Sequence, residues 1–509
     1  MTLGCSLHEV LTTIKADVPS FPRFQLYHDG ARPIASPIHV LLPENGLRLQ
    51  FDGPDQRLRL IEVLDFAKAR LVYKDVDVFK PVEGYAAMPA GANGPKFRHI
   101  YDKLLGPTYG GEYIAPKSDD LNARGTYSLS YPGVAFNFPV QHSAYSPKKD
   151  FISLLSSSAT GSASSMAVFD GESWQKARGS LFTSAPPNPR ALALAGKGKE
   201  GVPDEIELAR IHGQGRIELV RRSSPSFCIT LSETTPQDLI MELGAPESIY
   251  RKHDHRLSIH KDRRRSDVSD RSGTRLTTDD MHGSYNGSAI ETENDDDWDN
   301  DDDAALEAQE REVAAAEHFY NYYHHGFDIL ISQPTQISPP SPTSDSNASG
   351  SEESRDLGVQ ALNHLTATKV IFHGNVPGSY QFNRHRRSRW TLDHVPTKGD
   401  QAPLNSELAF PDISKRLKEV FKAHYANEEE ERLQQRGMAL NRGWGDSPGS
   451  SVELLGGWED SSNKKNELAN AGSGVAESAG NVGNVELFGF PGMVFEVLKN
   501  GAVSTLTVY

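Results

Sequence analysis

The sequence predicts an α+β protein of repeated helix-plus-antiparallel-meander units, about four of them, with long disordered insertions. Three observations predict it. A glycine followed by alternating large residues recurs along the chain. Helix-like segments precede these strand patterns, and two of them end in Gly with Pro just beyond. The 509 residues are only 37% apolar, well below the roughly 45–50% of a typical domain, so long polar segments must dilute the folded part.

The first unit opens on Ser6-Leu-His-Glu-Val-Leu-Thr-Thr-Ile14, where Ser6 and Glu9 have the spacing of a capping box. Helices are expected over Lys96–Leu105 and Thr235–Leu243, stopped by Gly106-Pro107 and by Gly244-Ala-Pro246, and a longer one over Leu408–Tyr425. The recurring strand motif is Gly46-Leu-Arg-Leu-Gln-Phe51, Gly133-Val-Ala-Phe-Asn-Phe138, Gly326-Phe-Asp-Ile-Leu-Ile331 and Gly492-Met-Val-Phe-Glu-Val497. Its period of two is that of a strand with one buried face. Aromatic segments precede three of the glycines: Tyr127–Tyr131, Phe319–Tyr323 and Leu487–Phe490. A further alternating segment follows three motifs: Leu58–Val63, Thr368–Phe372 and Val503–Val508. Asn500-Gly501 joins the last pair and suggests a type I′ hairpin turn.

The units run over 1–80, 81–152, 204–252 with 318–395, and 396–426 with 483–509. A Ser/Pro-rich linker and loop fills 153–203, beginning with seven serines in the thirteen residues Ser153–Ser165. Disordered insertions interrupt the third unit at 253–317 and 333–366 and the fourth at 427–482, because their compositions bury too little apolar surface to offset chain ordering.

The net charge of −15 argues against a general nucleic-acid binder, which needs a basic footprint. No apolar run reaches 18 residues, so no transmembrane segment is expected, and the N-terminus lacks the pattern of a signal peptide. Cys5 and Cys228 cannot make a disulfide scaffold or a four-cysteine zinc site, and both read as small core residues. There is no Walker loop, His-Glu-x-x-His or Gly-x-Ser-x-Gly. The acidic run Asp295–Asp303 lacks the glycine and terminal Glu of a calcium loop. His253, His255 and His260 read as loop, and His324 and His325 as turn or surface residues. No catalytic residue, metal ligand or cofactor is assigned.

Two kinds of basic cluster are candidates for recognition. Arg384, Arg386, Arg387 and Arg389 lie within six residues and could grip phosphate head groups or an acidic partner through guanidinium contacts. Arg221-Arg-Ser-Ser224 and Arg263-Arg-Arg-Ser266 resemble basophilic kinase sites, with Ser224 and Ser266 as the acceptors. Phe495-Glu-Val-Leu498 has the aromatic-x-x-aliphatic core of an autophagy-adaptor motif, but lies in an expected strand and reads as sheet packing.

The segments Ser6-Leu-His-Glu-Val-Leu, Gly46–Asp52 with Leu58–Val63, Phe319–Tyr323 with Gly326–Leu330, Gly374-Asn-Val-Pro-Gly-Ser-Tyr-Gln-Phe-Asn383 and Gly492–Gly501 resemble, in order, the phagophore assembly factor 1 family. The insertions resemble the expansions common in fungal members. The resemblance implies a non-enzymatic autophagy scaffold or adaptor in the cytoplasm. It implies pairing with a WD-repeat protein related to breast carcinoma amplified sequence 3, and peripheral recruitment to the phagophore assembly site through phosphoinositides. It supplies no binding residue. The alternatives are a Golgi or endosomal trafficking factor and an enzyme with a dispersed site.

Overall fold

The computed structural model describes residues 1–80, 94–117, 123–185, 204–251, 317–333, 365–397, 402–441 and 484–509. The proposed phosphosite Ser266, the histidines 253–260 and the acidic run 295–303 lie outside the described residues.

Helix α1 (Leu7–Ala16) carries the expected capping box: Ser6 Oγ accepts from the Glu9 amide, and Glu9 accepts from the Ser6 amide at 3.0 Å. Its buried residues Leu7, Val10, Leu11 and Ile14 follow the 3.6-residue period, so one stripe faces the sheet. That sheet is built from β1 (Gln25–Tyr27), β2 (Ile38–Leu42), β3 (Leu47–Phe51) and β4 (Leu58–Val63), then, past a short hairpin of β5 (Val72–Tyr73) and β6 (Val76–Asp77), from β7 (Glu112–Ile114), β8 (Arg124–Tyr131), β9 (Val134–Gln141) and β10 (Ser165–Phe169). The order across it is β1-β2-β3-β4-β10-β9-β8-β7, all antiparallel.

The expected linker over 153–165 is a correction. Helix α2 (Phe151–Leu155) buries Leu154 and Leu155 against β8 and β9, and Ser165 begins β10 in the centre of the sheet. The serines misled because they occupy a turn between two elements whose apolar residues pack. Helix α3 (Trp174–Ser180) follows β10. The Lys96–Leu105 helix is a π-helix over His99–Leu104, with Gly106 at φ 83° after it.

The second half uses β11 (Ile206–Gly213), β12 (Arg216–Arg221), β13 (Phe227–Thr230), helix α4 (Pro236–Leu243), β14 (Ser248–Arg251), β15 (His318–Tyr322), β16 (Phe327–Ser332), β17 (Thr366–His373), β18 (Trp390–Leu392), β19 (Leu404–Asn405), helix α5 (Phe410–Phe421), helix α6 (Glu428–Gln434), β20 (Met438–Asn441), β21 (Asn484–Phe490), β22 (Met493–Leu498) and β23 (Val503–Val508). Strands β14–β17 and β20–β23 make a second eight-stranded sheet, order β14-β15-β16-β17-β23-β22-β21-β20. Both large sheets thus share one plan: a four-strand meander whose last strand pairs with the last strand of a second, oppositely ordered meander. The sequence did not suggest the third sheet, β13-β12-β11-β18-β19, in which β11 and β18 are parallel. Strands β18 and β19 are too short to show a period.

The largest core lies between this third sheet, the second large sheet and the apolar faces of α4 and α5. Ile211, Leu219, Leu239, Ile329, Phe372, Trp390, Leu417 and Phe495 all belong to it. Phe495 is fully buried in β22, as sheet packing requires. The four motif glycines, Gly46, Gly133, Gly326 and Gly492, each sit between paired strands with positive φ. Gly501 also has positive φ, but Asn500 does not. The Gly501 amide bonds to Leu498 O, and Leu498 N to Ala502 O. The turn is therefore a three-residue loop closed by a left-handed glycine, not the expected type I′ turn.

Candidate functional site

The segment between β17 and β18, residues 374–389, contains the Gly374–Asn383 motif and the arginine cluster. It joins the second large sheet to the first. Gln56 Nε2 donates to Asn375 O, and Asn375 Nδ2 donates back to Gln56 Oε1, both at 2.8 Å. Asn375 Oδ1 accepts from the Asn383 amide at 2.7 Å. Gln56, Asn375 and Asn383 all have positive φ, at 51°, 45° and 63°. Such backbone persists only where its surroundings over-determine it, and here the reciprocal amides do so. Phe382 packs with α1, β2 and β3, and Val376 with Ile34 and Ala502.

The structure uses the arginine cluster mainly inside the fold. Arg387 is buried, and its guanidinium donates to Pro54 O, Gly374 O and Ser406 O at 2.7, 2.7 and 2.9 Å. Burial pushes its pKa down to about 10. Arg386, also buried, pairs with Glu205 at 2.6 Å and donates to Ile206 O. Arg57 approaches the same Glu205 carboxylate from the first sheet. Arg389, half-buried, bridges Asp55 at 2.6 Å and Glu407 at 2.5 Å. Arg384 is half-buried on the rim, and its carbonyl meets His8 Nε2 at 3.1 Å. Arg387 and Arg389 thus tie the third sheet and the 374–389 segment to the β3–β4 turn, and Arg386 joins them through Glu205, the carboxylate that Arg57 also approaches. The buried guanidinium groups already face carbonyl and carboxylate oxygens of the chain itself.

Under this segment lies a cluster that the sequence reading missed. Asp328 on β16 and His373 at the end of β17 project from the sheet face opposite the large core, and His385 closes over them from the loop. His373 Nε2 lies 2.9 Å from Asp328 Oδ2, and His385 Nε2 2.8 Å from Asp328 Oδ1. Asn321 Nδ2 also donates to Oδ1, at 2.8 Å. The two imidazoles stack with centroids 3.7 Å apart and planes 8° from parallel. Burial opposes charge on Asp328, yet the two imidazoles facing it hold its carboxyl well below the usual range. Burial pushes His385 down to about 3, so its ring is neutral. The available signal was an aspartate inside the otherwise apolar run Phe327–Ile331; the two histidines come from distant positions that no spacing rule connects.

Other expected positions resolve as follows. His325 is buried against Phe327 rather than lying at the surface, and His324 pairs with Glu247. Cys228 is exposed rather than in the core, because it faces outward on edge strand β13. Ser224 donates its hydroxyl to Asp204 Oδ2 at 3.0 Å, and its amide donates to the same oxygen. A phosphate on Ser224 would meet that carboxylate.

The family comparison matches the model described as phagosome assembly factor 1 over residues 1–274 and 356–509, a span that includes the whole 374–389 junction. The chain belongs to the phagosome assembly factor 1 family. A PHAF1 protein of Arabidopsis thaliana is 20% identical over 524 residues, taking in all of this chain and 90% of the relative. One from Drosophila melanogaster is 22% identical over 532 residues with the same coverage. A Caenorhabditis elegans PHAF1 protein is 26% identical over 137 residues, 27% of this chain and 28% of the relative. No solved structure matches the chain. Membership in the phagosome assembly factor 1 family is consistent with an autophagy-related role. Among the described residues, no helix is long and apolar enough to cross a membrane.

Proposed function

We propose that this protein is a non-enzymatic scaffold or adaptor of autophagy. It works in the cytoplasm, pairs with a WD-repeat protein related to breast carcinoma amplified sequence 3, and is recruited peripherally to the phagophore assembly site where phosphoinositides are displayed. The observation that carries this reading is the family match across both large sheets and the segment joining them. The fold supports it in one further way. The outer strands of both large sheets offer backbone edges for a partner, and β14 carries the exposed residues Ile249 and Tyr250. Arg384 is the cluster residue we assign to a phosphate or acidic contact.

The same reading treats the chain as helix-plus-meander units, with 1–80 and 204–252 with 318–395 kept, the expected second unit (81–152) extended through β10, and the fourth (396–426 with 483–509) extended to take in α6 and β20 from the stretch expected to be disordered. The shared strand order of the two large sheets supports a duplication. The test is localisation of a fluorescent fusion in fed and starved cells of a strain lacking the endogenous gene. Starvation-induced puncta that coincide with a phagophore marker, together with restored autophagic flux, are the expected result. Steady Golgi or endosomal staining with normal flux in the deletion strain favours the trafficking alternative and defeats the proposal.

A further inference from the structure

We propose that Asp328, His373 and His385 form a binding site for a divalent transition-metal ion of the zinc class, and that the ion pins the 374–389 segment to the second large sheet. The three residues offer one carboxylate oxygen and a ring nitrogen from each histidine, all within 4.8 Å of one another. Each residue is more than nine-tenths buried. Two imidazoles and one carboxylate suit zinc, cobalt, nickel or iron(II), whereas calcium and magnesium take oxygen ligands.

Both histidines aim Nε2 at the Asp328 carboxylate, one at each oxygen, from stacked rings. A cation seated among the three side chains would take the Nε2 lone pair of each ring and balance the carboxylate charge, and the proton of each ring would then sit on the buried Nδ1. Asn321, which already holds Asp328 Oδ1, is the outer partner that keeps the carboxylate in place. The ligands come from β16, β17 and the loop, so binding joins elements that are far apart in sequence. That loop also carries Asn375 to Gln56 and Phe382 to α1. Metal binding at Asp328 is therefore coupled to the junction between the two large sheets.

The experiment uses the full chain, purified on a tag that contains no histidine, stripped with a chelator and returned to zinc or cobalt. The expected result is about one metal ion per chain by elemental analysis, with a thermal midpoint that falls on stripping and recovers with zinc. The cobalt form should show visible d–d bands of nitrogen and oxygen ligation with no thiolate charge-transfer band. Hydrogen exchange should slow on metal addition across 327–332, 366–373 and 374–389. Asp328→Asn with His385→Asn should lose the stoichiometric ion and the zinc-dependent shift. Absence of stoichiometric metal and of any zinc effect in the unaltered chain overturns the proposal. So does a thiolate band, metal retained by the double variant, or protection confined to other segments. The spectra and exchange need only the unaltered chain, so the test survives if the variant fails to fold.

Discussion

Replacing Arg387 by methionine tests the role of the arginine cluster most sharply. The side chain is 2% exposed and donates to three carbonyls from three separate segments, at Pro54, Gly374 and Ser406. Methionine keeps much of the volume and supplies no donor. Each charge-assisted hydrogen bond contributes about 1.5–3 kcal/mol, and each buried acceptor left unmet costs about 1–3 kcal/mol. The losses do not add fully, because removing the guanidinium also removes the cost of burying its charge. A net destabilisation of about 3–5 kcal/mol follows, the range seen when one partner of a buried charged contact is removed. That is a large part of the roughly 5–15 kcal/mol that holds a domain together. Urea unfolding followed by tryptophan fluorescence measures it, and Trp390 lies three residues away in the core. Arg384→Glu is the matched control on the rim and should shift stability by no more than about 0.5 kcal/mol. A loss below about 1 kcal/mol for Arg387→Met, or equal losses for the two variants, would refute the assignment of Arg387 to the interior.

Three further outcomes follow. Leu417→Ala empties a fully buried site on α5 and should cost about 2–5 kcal/mol, read as a lowered urea midpoint. Gly326→Ala should also destabilise strongly, since φ is 89° and a Cβ would stand 2.4 Å from Arg386 O; a neutral thermal midpoint would contradict the close approach of turn and loop. In the presence of chelator, stability should be full above about pH 6.5 and decline below it. His385 stays neutral in the fold down to about pH 3, while the unfolded ring takes up a proton near ~6.5, so each pH unit between costs up to about 1.4 kcal/mol. His8, also pushed down by burial, contributes with the same sign. His385→Asn should flatten part of this slope, and an unchanged slope would show that His385 does not titrate in this way.

The elements with strong local patterns were legible in the sequence. Alternation across Leu47–Phe51 and Val134–Phe138, the Ser6–Glu9 cap and the Gly244 stop each record one residue's local physics, and each stands where expected. What failed was non-local. The strands of the third sheet pair β11 with β18, whose partners lie about 180 residues apart, as with Ala209 and Trp390, and no local period announces such a pairing. The arginines at 384–389 look like a surface patch because charge is usually solvated. Arg386 and Arg387 are internal and Arg389 half-buried because Glu205, Asp55, Glu407 and three carbonyls arrive from remote segments. The Asp328 cluster was invisible for the same reason: its three residues meet only when β16, β17 and the loop are assembled.

The central claim is that the protein assembles with autophagy machinery. Affinity purification of the tagged full chain from fed and from starved cells, with mass spectrometry of the recovered proteins, tests it most directly. The account predicts a WD-repeat partner together with autophagy proteins, enriched on starvation. Recovery of Golgi coat or tethering factors alone, unchanged by starvation, would contradict it.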